Sequence, residues 1–340
     1  MQIQAQAMSM RASADFLGNG AIEVNKYEAE ILDILRRTSP TVQRMKDMRR
    51  WRPATGHPHR YFEQLAVASA AATDPRAIAP TATGPNRVER AAMVKAVVAQ
   101  SNFSHFDVEV TQSQGQFAQI EAQDIADIAS AVVLKEASMF WQGTDTSLTA
   151  PTTLEWVGAL QQLATGGNVV SVLKGASIID GLKTEVATLM TSTTFGVKPS
   201  AIYLNPLLAD AIDKEAKATA YKFNVVEFVA GEQVNAVQTQ AGILPLVPDP
   251  FLPNYTSGTY PTFLSSLVSW PSGATNCYVG VILQENLVEM AYVNPNGSED
   301  PRIFQLGLLS GLSGQFVSIA YNNLIVKGSN YAHALVLCFS

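Results

Sequence analysis

The chain reads as an α+β protein with a long, core-poor lead and a mixed body. Helical and extended patterns interleave through the body without the regular alternation of a doubly wound sheet. A strong helical signal runs over 119–142, and the chain from Asn276 onward is dominated by strand-like runs. Between Glu63 and Asn102 there is no Phe, Trp or Tyr, so the lead has little with which to build a core of its own.

The lead divides by composition. Residues 1–22 are polar and glycine-containing and read as irregular. Residues 25–36 place Tyr27, Ile31, Ile34 and Leu35 near one helical face, with Asn25 as a cap, and Pro40 ends or restarts that element. A basic segment follows, in which Met45, Met48 and Trp51 form a small apolar stripe. Residues 64–100 read as two extended segments, LAVASAAA and ERAAMVKAVVAQ, with turn formers at Asp74-Pro75, Pro80 and Gly84-Pro85 between them. A hairpin of that length projects about 60 Å at about 3.3 Å per residue. Ala, Met, Lys and Arg leave a helix open as the alternative for 88–99.

The body begins with the FDVEVT strand pattern at 106–111. In the helix over 119–142, Ile125, Ile128, Val132 and Met139 recur on one face and Gly143 supplies the stop. At 1.5 Å per residue this helix is about 35 Å long. Further helices are expected near 153–164 and over 176–192, and AIYL at 201–204 is a short strand. Asn205-Pro206 offers an N-cap followed by proline at the first helical position. Ala241 to Pro253 holds a strand bounded by prolines, and CYVGVIL, LVEMAYV, QFVSIAYNNLIV and AHALVLCF complete the strand-rich end.

Of the 340 residues, 47% are apolar and 15% charged, which argues against disorder. The net charge of −6 is unevenly spread. Arg36, Arg37, Arg44, Lys46, Arg49, Arg50, Arg52 and Arg60 face one acid, Asp47, a balance of +7. From Phe223 to the end, Arg302 and Lys327 face seven acids, a balance of −5. A basic arm and an acidic body attract each other between copies, and a basic arm also suits nucleic acid. The N-terminal residues lack the apolar core of a signal peptide, and no run is long enough to span a membrane. Cys277 and Cys338 have no metal-binding spacing and read as buried free thiols.

Motifs of catalysis are absent. There is no GxSxG, P-loop, GxGxxG or HExxH, and no cofactor is implied. His57-Pro58-His59 lacks a carboxylate or thiolate partner for a metal, and His105 and His333 stand alone as structural residues. Glu121, Asp124 and Asp127 suit the positive end of the long helix, with paired-carboxylate chemistry as the sharper alternative. Arg49, Arg50 and Arg52 around Trp51 have three readings: pairing with acids of a neighbouring subunit, phosphate contact with Trp51 stacking on bases, or a solvated face.

The order of these elements resembles the major capsid proteins of tailed bacteriophages, the Hong Kong 97 type of shell fold. The residues that carry the resemblance are SMFWQGTDTS at 138–147, with Gln142-Gly143 at the end of the spine helix, AIYLNP at 201–206, GILPLVPDPFLP at 242–253 and IVKGSNYAHALV at 325–336. It implies an N-terminal arm over 1–62 and an extended loop over 63–101 with its tip at Pro80, Gly84 and Pro85. It also implies a peripheral domain over 102–152 with 282–325, and an axial domain over 153–281 with 326–340.

The resemblance further implies a non-enzymatic subunit that tiles as hexamers and pentamers into an icosahedral shell around double-stranded DNA. The shell would be assembled in the bacterial cytoplasm and form the virion, with a portal and in some members a decoration protein. Only about sixty residues precede the loop, so a separate scaffolding protein is expected rather than a fused one. Some members join subunits by a Lys–Asn bond catalysed by a buried Glu. Lys95 lies in the loop, but no Asn and Glu are placed beside it, and crosslinking is not expected. An encapsulin-like compartment and a soluble α+β hydrolase are the alternative functions. Deleting residues 1–60 is expected to leave a folded body that forms no stable particles.

Overall fold

The computed structural model describes residues 39–76, 84–104, 106, 109, 120–191, 196–229, 232–256, 258–306 and 313–340. The helix expected over 25–36, Arg36, Arg37, Pro80, His105 and most of the strand expected over 106–111 lie outside them, and the two described residues of that strand, Phe106 and Glu109, are helical instead.

Among the described residues the strands form three sheets. A five-stranded sheet holds β1 (Trp51–Pro53), β4 (Lys95–Ser104), β12 (Val288–Tyr292), β13 (Arg302–Leu306) and β14 (Ser313–Val326). Its axis is β14, which pairs antiparallel with β4 from Ser313↔Ser104 to Asn322↔Lys95. The other edge of β14 takes β13 and then β12, and β1 closes that side in parallel with β12. One face is covered by α2 (Ile120–Gln142), which turns Ile128, Val132 and Met139 inward as its periodicity predicts. Phe316, Ser318, Ala320 and Asn322 lie on one face of β14 and are buried, and from Asn322 to Val326 both faces of the strand are covered.

The eight-stranded sheet runs in the order β5 (Val169–Val172), β15 (Ala334–Phe339), β11 (Asn276–Leu283), β6 (Ala201–Leu204), β9 (Gly242–Pro248), β8 (Glu232–Thr239), β7 (Asn224–Val229), with β10 (Asn254–Thr256) on β11. Both faces of its central strands are buried, which explains why they read as unbroken apolar runs. Val279, Val281, Leu335 and Leu337 enter the main core with α2, α3 (Ala159–Gly166) and α6 (Thr262–Ser265). Their neighbours Ile282, Val336 and Cys338 point the other way, into a second core under α4 (Ile178–Thr191) and α5 (Pro206–Thr219). The period of two along each strand therefore divides one sequence between two cores.

Local signals account for several element ends. The Asn205 side chain accepts from Leu207 N at 2.9 Å, and Pro206 opens α5. Ser39-Pro40 repeats this device: Ser39 caps and Pro40 opens α1 (Pro40–Asp47), the restart that the proline offered. The helix expected near 153–164 begins only at Ala159. The cause is a backbone crossing, where Gly158 N donates to Gly143 O at 3.2 Å and Gly143 N to Met139 O at 3.1 Å. A Cβ on Gly143 would lie 2.3 Å from Trp156 O, and one on Gly158 2.5 Å from Gly143 N. Gly143→Ala is therefore expected to cost about 3 kcal/mol or more, seen as a lower urea midpoint with an unchanged slope. A midpoint equal to wild type would show that the crossing relaxes freely.

The lead differs most from expectation. Val42, Met45 and Trp51 enter the main core of their own chain, and β1 is hydrogen-bonded into the five-stranded sheet. Residues 39–53 are thus stitched into the body. The hairpin arms are β2 (His59–Ala66) and β3 (Asn86–Ala92), paired in a separate two-stranded sheet. The arm expected from VKAVVAQ leaves the hairpin as β4, because Val97 and Phe103 pack inward along β14. Residues 88–99 take no helix. The short strands β5, β7, β8 and β13 carried no sequence signal strong enough to be expected.

Candidate assembly surfaces

The basic segment is held to the body by a buried carboxylate. Asp249 is fully buried, where the proline-bounded strand β9 ends. Its Oδ2 accepts from Ser39 Oγ at 2.8 Å, from Thr41 Oγ1 and from Trp141 Nε1 at 3.1 Å, and its Oδ1 accepts from Phe251 N at 2.9 Å. One side chain thus joins the start of α1, the end of α2 and the rim of the eight-stranded sheet. The DP pair at 249–250 marks a turn in the sequence, but nothing there reveals donors more than a hundred residues away.

The basic residues divide into two groups. Arg44 donates to Glu285 at 3.3 Å and to Phe228 O at 2.8 Å, with its guanidinium over the Phe228 ring. Arg50 donates to Val288 O at 2.9 Å and to Asn286 O. Burial, then the Arg52 charge, lowers its pKa, and Glu289 opposes them. Lys46 pairs with Asp300 at 3.2 Å, and Arg60 with Glu89 at 2.9 Å. These last two are exposed pairs of small energetic weight. Among the described members of this set, Arg49 and Arg52 are exposed, make no ion pair and stay open to a partner.

Trp51 is buried beneath the Lys46 ammonium, which lies 5.2 Å from its ring. The base-stacking reading of Trp51 is corrected accordingly, because the indole belongs to its own core. The expectation for the 1–60 deletion is corrected too. That deletion strips Val42, Met45, Trp51 and two donors to Asp249 from the body, which is not expected to fold normally without them.

The chain leaving the hairpin is anchored where β4 begins. Asp145 is fully buried and accepts from Lys95 Nζ at 3.0 Å, Thr152 N at 3.0 Å, Thr152 Oγ1 at 3.0 Å and Thr146 N at 2.8 Å. Burial alone would raise its pKa, but these hydrogen bonds outweigh burial and hold the carboxyl well below the usual range. Lys95 Nζ also donates to Thr153 O at 2.6 Å, so Lys95 clamps the TDTSLTAPTT loop. Gly84 and Pro85 are exposed at the start of the returning arm, and residues 67–76 are exposed without regular structure.

Several of the remaining chemistry-bearing residues are tied into the fold. His333 is fully buried, with Nδ1 accepting from Gln284 N at 3.1 Å and Nε2 3.0 Å from Lys327 O. Burial pushes its pKa down to about 4. His59 is buried and accepts from Thr55 N at 3.1 Å, while His57 is exposed. Asp124 accepts from Ser101 Oγ at 3.2 Å, which ties α2 to β4. Glu121 lies outside the described side chains. Cys277 and Cys338 are buried and free, and burial pushes each thiol up to about 12. Among the described residues no three His, Cys, Asp or Glu are grouped to hold a metal, and no helix is long and apolar enough to cross a membrane.

No family model matches the sequence, and no curated protein matches it. Solved structures do. A chain of the Helicobacter pylori bacteriophage KHP40 head structure superposes with a TM-score of 0.62 at 10% identity, covering 96% of each chain. A capsid structure of an empty GTA particle gives 0.58 at 14% identity, covering 97% of this chain and 98% of that one. The holo-SrpI encapsulin complex of Synechococcus elongatus gives 0.55 at 15% identity, covering 96% and 95%. The chain has the Hong Kong 97-like fold. In this chain the fold is an α+β body in which the spine-like α2 lies on the five-stranded sheet and the lead joins both sheets.

Proposed function

We propose that this chain is the major capsid protein of a tailed phage, a non-enzymatic subunit that self-assembles into an icosahedral head around double-stranded DNA. The observation that carries this reading is the fold shared over nearly the whole chain with phage head and capsid structures at low sequence identity. The five-stranded sheet with α2 corresponds to the peripheral domain, the eight-stranded sheet to the axial domain, and the β2–β3 hairpin to the extended loop. Hexamers and pentamers would be held by the loop and by residues 1–38, which precede the stitched segment. Tethered contacts of this kind add steeply, because each raises the effective concentration of the next. Arg49 and Arg52 face a neighbouring subunit or packaged DNA. Scaffold, portal and decoration proteins are the further partners this reading expects, and the virion is its location.

Electron microscopy of the purified chain, with its scaffold supplied, is expected to show large closed particles. Only monomers and dimers by light scattering would overturn the reading. A variant lacking residues 1–38 is expected to fold with near-native stability yet give no stable particles, and normal particles from it would show that those residues are not a clamp. The likeness to the encapsulin complex favours a second reading, a protein-filled compartment. Contents decide between them: packaged DNA supports the phage head, packaged protein the compartment.

A further inference from the structure

The β2–β3 hairpin touches the body through a small area. Among the described residues its two strands pair only with each other, and a two-stranded ribbon is marginal without support. Support comes at its root, where Tyr61 and Ala92 pack on Ala291 and Ile325. Glu63 sits just beyond this cluster and is 8% exposed. Its Oε1 accepts from Gly328 N at 2.6 Å, in the turn between β14 and β15. Its Oε2 accepts from Arg90 Nε, across the hairpin on β3. Tyr331 Oη donates to Gln64 O at 3.3 Å beside it. The Gly328 and Tyr331 bonds reach from the body to β2, while the Arg90 bond ties the two strands to each other.

The surroundings leave room for movement. An open groove of about 920 Å³ lies between the hairpin and the body, lined on the body side by Thr146, Ser147, Thr165 and Asn330. The hairpin joins the body through irregular segments, residues 54–58 on one side and Met93 with Val94 on the other. A ribbon with two irregular connections and space beneath it has its angle set by whatever fixes it past the pivot.

We propose that Glu63 is a latch, a positioning residue that sets the angle of the hairpin to the body by holding the Gly328 amide with one oxygen and Arg90 with the other. The carboxylate suits this task because it accepts two bonds at once, one from each side of the pivot, while buried away from competing water. With the latch open, the hairpin swings about residues 54–58 and 93–94 over the groove, and the surface it offers to a partner changes. The inference stands on the hairpin's own contacts and does not depend on the shell function.

Amide hydrogen exchange of the full-length chain tests it. Glu63→Ala is expected to raise exchange at Gly328 and along β2 and β3 at least tenfold, with β11 and β15 unchanged. Glu63→Gln keeps an oxygen for the Gly328 amide and is expected to raise exchange there less than threefold. Wild-type exchange in the hairpin of Glu63→Ala overturns the latch. So does a uniform rise across β11 and β15, which would make Glu63 a contributor to global stability only. Equal effects of alanine and glutamine also overturn it, because the Gly328 bond would then not be what holds the hairpin. Failure to form particles in the wild type tests the proposed function and leaves these outcomes untouched.

Discussion

Asp249→Ala is expected to lower stability by about 3–5 kcal/mol, because hydrogen bonds to a buried charged acceptor are worth about 1.5–3 kcal/mol each and their donors stay buried. The variant strands the Trp141 indole at the centre of the core and releases both Ser39 and Thr41. The damage therefore has a direction. It should loosen α1 and β1 first, exposing Met45 and Trp51, before the eight-stranded sheet opens. Asp249→Asn should fall between wild type and alanine. Its amide oxygen still accepts from the hydroxyls and the indole, but its NH2 then faces the Phe251 amide, donor against donor. Urea unfolding followed by tryptophan fluorescence measures the loss, and exchange at residues 40–53 its location. A midpoint within error of wild type for Asp249→Ala would show that the clasp carries no net stability.

Glu136→Gln is expected to flatten the dependence of stability on pH above neutrality. Glu136 is 1% exposed on the inner face of α2 and accepts from Asn322 Nδ2 of β14. Burial pushes its pKa up to about 8, with Asp300 adding to the rise and Lys46 and Asn322 opposing it. The folded state then holds a proton that the unfolded chain releases near the ordinary carboxyl value. The stability from this group is complete below about 4.5 and is lost as pH rises through about 8, a change of a few kcal/mol.

His333 works in the opposite sense at lower pH. Its folded pKa is depressed to about 4, so its contribution is present above about 6.5 and is lost as pH falls toward 4. Between pH 6.5 and 8.5 Glu136 therefore adds a falling slope that His333 does not offset. Wild type should lose stability across that window, while the glutamine variant, which keeps an oxygen for Asn322, should not. Equal slopes in the two proteins would show that Glu136 is already ionised in the fold.

Much of the fold was legible because its causes are local. Asn205-Pro206 states its own cap and first turn, the repeat from Ile128 to Met139 states which face of α2 is buried, and β11 and β15 are too apolar to lie anywhere but between two cores. Short strands were illegible for the converse reason. The segment that forms β4 reads as a hairpin arm, with a helix as the alternative, and β7, β8 and β13 are set by the strands they pair with.

The basic segment shows the same boundary between local and distant causes. Its charge, its apolar stripe and its poverty of core were plain in the sequence, and together with the order of elements they pointed to a shell subunit. The sequence could not show that Arg44 meets Glu285, that Arg50 meets the carbonyl of Val288, or that Trp51 belongs to its own core. Those partners lie more than two hundred positions away. Composition and periodicity determine which residues seek burial and in which local shape, because both act within a few turns of chain. Which donor finds Asp249, and which amide Glu63 holds, was decided only when distant segments were packed together, because a hydrogen bond depends on spatial distance and leaves no mark on the spacing of residues along the chain.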